Sequence, residues 1–121
     1  MKRIIKKLYT ELKKERTSLI NNVSLDSNIE RDDLEREFDD SLLALKGLPI
    51  QTNKLLQLEK VFVPNYNKKA VISRIPKGKI LQILPSTTPI LSCVLLPLCA
   101  AIMGNEVIVN LRLSPEVLLF F

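Results

Sequence analysis

From Ile80 to Asn105 the chain carries no charged residue, and that run constrains the fold more than any other feature. It is long enough to span a bilayer. Lys77 and Lys79 precede it, as a cytoplasmic flank would. A small single-span membrane protein is therefore one architecture the sequence allows. Pro85, Pro89 and Pro97 interrupt the run, together with Gln82, Ser86, Thr87, Thr88 and Ser92. Its first part alternates like a strand and stops at a turn. A buried strand and a buried helix of an α/β protein account for those breaks better, and the reading adopted has no membrane span.

Ile80–Leu84 reads as a mostly apolar strand of the kind buried on both faces in a parallel sheet. Pro85-Ser86-Thr87-Thr88-Pro89 is a tight connection. Thr88 is placed to cap a helix, with Pro89 at its first position. Ile90–Met103 continues as an apolar helix weakened near Pro97, and Gly104-Asn105 ends it. Glu106–Asn110 is the next strand, centred on Val107-Ile108-Val109. Ser114-Pro115 would cap a further helix. Upstream, Ala70–Ile75 reads as a strand, and Pro76 and Gly78 mark a turn.

Strand, turn, helix and strand in this order predict a crossover unit with a parallel sheet. Ligands of such sheets bind at the carboxyl ends of strands, beside helix amino ends. Here that point is Leu84–Thr88, where hydroxyls and free backbone N–H groups could hold phosphate or another anion. Neither G-x-G-x-x-G nor G-x-x-x-x-G-K is present.

The front of the chain has another character. The net charge is +5, and after Lys79 the only charged residues are Glu106, Arg112 and Glu116. Residues 2–21 predict a helix, with Ile4, Ile5, Leu8, Leu12, Leu19 and Ile20 near helical spacing. Lys6, Lys7, Lys13, Lys14 and Arg16 give it a basic face. Asn21–Ser27 breaks the pattern. Ser27 stands three residues before Glu30, a capping-box signature for a second helix. Leu34, Phe38, Leu42 and Leu45 form its stripe, and Gly47 and Pro49 should stop it. A short helix over 53–60 is expected next. Asp32, Asp33, Asp39 and Asp40 read as solvated helix surface without metal-loop spacing. With no aromatic interleaving to stack bases, the basic surface reads as solvated helix, with no nucleic-acid partner.

The chain has no His, which removes the commonest general base and metal ligand. Cys93 and Cys99 are six apart, so on a helix they point about 120° from each other. That suits neither a local disulfide nor a metal pair. They read as small buried hydrophobes in a reducing compartment. No apolar stretch of a secretory signal follows the basic amino end, so the expected location is cytoplasmic.

Arg74, Pro76 and Gly78, then Pro85 and Pro89, then Ala101 with Gly104-Asn105, resemble the aldehyde dehydrogenase superfamily in order and spacing. That family carries an R-x-P-x-G turn, a strand ending in P-x-N-x-P, an apolar helix ending in A-x-G-N, and a strand. The resemblance covers roughly Leu58–Phe121. It implies an oxidoreductase that transfers hydride from an aldehyde adduct of a Cys to NAD or NADP. Leu84, Pro85, Ser86, Thr87 and Asn110 would then lie along the cofactor passage. Thr87 falls where ordinary members place an oxyanion-stabilising Asn, and it has only one hydrogen to donate. Asn110 and Leu113 replace a Lys and a Glu that hold the adenosine ribose. The turn looks closer to the P-T-T-N-P of the CoA-acylating branch and its acyl-CoA reductase relatives. The family's glycine-rich turn, general-base Glu and nucleophilic Cys have no counterpart here, so the catalytic set is incomplete.

The fold expected is α/β, with a helical segment over 1–60 and an incomplete Rossmann-like domain over 61–121. The function expected is the amino-terminal part of an aldehyde- or acyl-CoA-directed oxidoreductase, inactive alone. Its partner would be the remainder of the enzyme, or a second copy through the open sheet edge. The alternative is a non-enzymatic interaction module.

Overall fold

A computed structural model describes residues 2–110. Three helices come first, α1 (Lys2–Lys14), α2 (Arg16–Ser27) and α3 (Arg31–Leu56). A hairpin of β1 (Glu59–Val63) and β2 (Lys68–Ile72) follows, then β3 (Lys79–Ile83), α4 (Pro89–Ile102) and β4 (Glu106–Asn110). The chain is thus a mixed helix-and-strand protein.

The expected single helix over 2–21 is two. The axis breaks at Glu15, although Glu15 and Leu19 keep their i–4 backbone bonds at 3.0 and 2.9 Å. The break lets Leu12 of α1 and Leu19, Ile20 and Val23 of α2 reach one core. α2 then runs through Asn21–Ser27, where a break was expected. These residues are poor helix formers, but burial of Val23 outweighs propensities worth tenths of a kcal/mol each. Asn28, in the left-handed region at φ 55°, ends α2. Ser27 does not cap α3: its hydroxyl donates to the Val23 carbonyl at 2.6 Å.

α3 also outruns its expected stops at Gly47 and Pro49 and takes in the first half of the separate short helix expected over 53–60, whose last two residues, Glu59 and Lys60, begin β1 instead. Pro49 leaves the Leu45 carbonyl without its helical donor. Leu45 and Leu48 remain buried on either side, and the buried Thr52 hydroxyl donates to the Leu48 carbonyl at 2.7 Å. Burial of each such Leu is worth about 1.5–3 kcal/mol, enough to hold a helix across one missing bond.

α3 is the hub, packed on α1, α2 and α4. One core joins Ile5, Leu19, Leu34, Phe38 and Leu45 from the front helices to Ile90 and Val94 of α4. β1 and β2 pair antiparallel across a 3-10 turn, Pro64–Tyr66, closed by Asn67 at φ 47°. β1 was not expected from the sequence. β3 and β4 pair in parallel with Leu81 opposite Ile108 and Gln82 opposite Val109.

The motif residues explain how that pairing begins. The Asn105 side-chain oxygen accepts from the Lys77 and Gly78 backbone at 2.6 and 3.2 Å, and its amide donates to the Ala100 carbonyl at 2.9 Å. The Glu106 N–H then donates to the Gly78 carbonyl at 2.9 Å. Gly104 has φ +87°, and a Cβ there would lie 2.9 Å from Pro76 Cγ, so only glycine fits. Arg74 reaches back to the Leu55 carbonyl at 3.0 Å and caps the end of α3.

Candidate functional site

β3 and β4 end side by side, and the turn to α4 rises from that end. The Leu84 N–H donates to the Asn110 carbonyl at 3.3 Å, which extends the parallel ladder by one step. Leu84 is buried, whereas Pro85, Ser86 and Thr87 stand exposed above it. The five residues expected to line a cofactor passage are therefore gathered at the carboxyl end of the strand pair. Among the described residues, none of the helices is long and apolar enough to cross a membrane.

Capping of α4 departs from expectation. Thr88 makes no side-chain cap. Its hydroxyl lies 3.0 Å from that of the buried Ser92, and its carbonyl accepts the Ser92 N–H at 3.0 Å. The cap comes from α3: the Glu37 carboxylate accepts the Leu91 N–H at 2.7 Å, and the Ile90 N–H also bonds to it. Pro89 has no N–H to offer. The donors that would have held a phosphate at this helix start are thus occupied by the chain's own anion, and the expectation of a free anion cradle there is withdrawn. Burial pushes the Glu37 carboxyl above its ordinary value, and the two backbone donors only partly offset that.

Sequence reading missed Glu37, but a signal existed. Leu34, Glu37, Ser41 and Leu45 recur at three- and four-residue spacing, so Glu37 lies on the core edge of α3. A carboxylate in that position needs donors.

Cys93 and Cys99 lie half-buried on α4. Burial, and then the Glu37 charge, push the Cys93 thiol up to about 11, and burial alone raises Cys99. Both stay protonated near neutrality, the opposite of an activated nucleophile. Gln82 faces α4, where its amide nitrogen donates to the Leu96 carbonyl at 3.0 Å. Its oxygen is buried with no partner among the described residues. Asp39 is held below the usual carboxylate range by the Arg16 guanidinium, and Arg16 is raised in turn. That pair fixes α2 to α3 and lies on the surface. Among the described residues no group of three His, Cys, Asp or Glu side chains could hold a metal ion.

The other face of the strand pair is open. Leu81, Ile83 and Ile108 point away from α4 and are 63%, 68% and 52% exposed. Fold and site together define an α/β protein with one parallel β-α-β unit joined to a helical front. No family model, curated protein or solved structure matches the chain.

Proposed function

We propose that this chain supplies the first β-α-β unit of a Rossmann-like, NAD(P)-dependent oxidoreductase of aldehyde dehydrogenase type, acting on an aldehyde or an acyl-CoA. The observation that carries the reading is the turn Leu84–Thr88 at the carboxyl end of a parallel pair whose register is set at its amino end by the Pro76–Gly78 and Gly104-Asn105 clamp. The residues fit a neutral part of such a cofactor. Ser86 and Thr87 are exposed and carry hydroxyls with no partner among the described residues, and Asn110 gives the site an exposed amide edge beside the buried Leu84. They do not fit a phosphate at the start of α4, because Glu37 is there. The cofactor would accept hydride, and this chain's part would be to position it. Neither Cys93 nor Cys99 would serve as nucleophile. The chain would act with further protein covering Leu81, Ile83 and Ile108, in a cytoplasmic setting and without nucleic acid.

Amide NMR during titration with NADH tests this. Saturable shifts at Leu84, Ser86, Thr87 and Asn110, absent from the β1–β2 hairpin, are expected. A titration that moves none of them refutes cofactor contact.

A second reading is favoured by the open face itself. An apolar sheet surface with edges unpaired among the described residues is also what a non-enzymatic interaction module or a self-associating chain presents. In that case Ile108→Lys abolishes concentration-dependent association in sedimentation, and NADH moves no amide.

A further inference from the structure

α1 carries two features that the cofactor reading does not use. At 100° per residue, Lys2, Arg3, Lys6, Lys7, Lys13 and Lys14 all project over its outward arc. Glu11 falls outside that arc, in line with Ile4. None of the six cations forms an ion pair with a described carboxylate. Beside the arc, an apolar groove of about 290 Å³ runs between α1 and α4, lined by Ile4, Ile5, Leu98, Ala101 and Ile102. Ile4 is 65% exposed at its lip.

We propose that this surface docks an acidic amphipathic segment of another protein, with an apolar side chain in the α1–α4 groove and carboxylates against Arg3, Lys7 and Lys14. Charge complementarity selects the partner's sign, since every charged residue on the arc is a cation. The groove selects an apolar anchor, which is what concentrates binding energy at an interface. A membrane surface is less suited. Ile5 and Leu12 of α1 are buried in the core, so the helix has no apolar stripe left to insert. A nucleic-acid backbone would engage the cations and leave the groove unused.

The test uses the whole chain and a fluorescent helical peptide with Leu and Glu at i, i+3 and i+4 spacing, read by anisotropy. A scrambled peptide of the same composition, phosphatidylserine vesicles and duplex DNA are the comparisons. Ile4 is exposed, so Ile4→Ser preserves the fold, which circular dichroism verifies. The expected result is saturable binding that weakens about tenfold with Ile4→Ser or with peptide scrambling, and further with Arg3→Glu plus Lys7→Glu. Equal binding of the scrambled peptide overturns the proposal. So does indifference to Ile4→Ser, or tighter binding to DNA or vesicles than to the peptide.

Discussion

Replacing Glu37 by alanine removes the acceptor for the Leu91 N–H, 2.7 Å away at the start of α4, and that of the Ile90 N–H. An unsatisfied donor in a buried setting costs about 1–3 kcal/mol, and loss of a helix cap costs about 0.5–2 kcal/mol. The site is half-buried, so water can reach part of it and the lower half of those ranges applies. Glu37→Ala is therefore expected to destabilise the chain by about 1–2 kcal/mol. Glu37→Gln should behave differently. Its amide oxygen can still accept from Leu91, and the cost of burying a charge disappears, so the loss should stay below about 0.5 kcal/mol at neutral pH. The pH dependence separates the two effects. Burial raises the folded-state pKa of Glu37 above the ordinary 4.5, so the folded chain holds that proton more tightly than the unfolded one. The stability this contributes is fully present below the unfolded-state value and is lost as pH rises through the folded-state value. Urea unfolding of wild type and Glu37→Gln across that interval gives the difference directly: the variant should gain on wild type as pH rises. Asp39 titrates in both proteins and cancels. If Glu37→Ala is as stable as wild type, or if Gln is as damaging as Ala, the capping account is wrong.

The remaining predictions concern the clamp and the thiols. Gly104→Ala adds a Cβ against Pro76 at positive φ and should cost about 2 kcal/mol or more, whereas Gly78→Ala, with open space around its φ of +96°, should cost only the backbone strain of about 1–2 kcal/mol; thermal melts rank the two. Asn105→Ala loses two accepted bonds and one donated bond and should cost about 2 kcal/mol, with slowed exchange protection lost at Glu106. With its thiol pushed up to about 11, Cys93 should react with iodoacetamide at pH 8 far more slowly than after unfolding in urea; equal rates, by mass spectrometry, would show the thiol to be neither buried nor raised.

The back half was legible because its signals are local. Proline and glycine bracket each element from Pro76 to Gly104, and Glu106–Asn110 was placed to the residue. The front half was misread where tertiary burial overruled local chemistry. Gly47 and Pro49 are ordinary stop signals, yet Leu45, Leu48 and Thr52 hold α3 through them. β1 escaped notice because Lys60 and Phe62 alternate with half-buried Val61 and Val63 on a strand that buries little. At the site, the strand ends and the turn could be read from Pro85 and Pro89. The anion that closes the helix start could not be read from its neighbours, since it comes from a helix 54 residues away in sequence.

Leu84–Thr88 separates a strand from a helix at the end of a parallel pair, and cofactor contact at that turn requires this break. Amide-resolved nuclear Overhauser spectra of the whole chain address this most directly. Cross-strand contacts joining Leu81 to Ile108 and Gln82 to Val109 are predicted, with helical amide–amide contacts beginning only after Pro89. Helical contacts running without interruption from Ile80 to Met103, or an antiparallel pattern between the two strands, would contradict it.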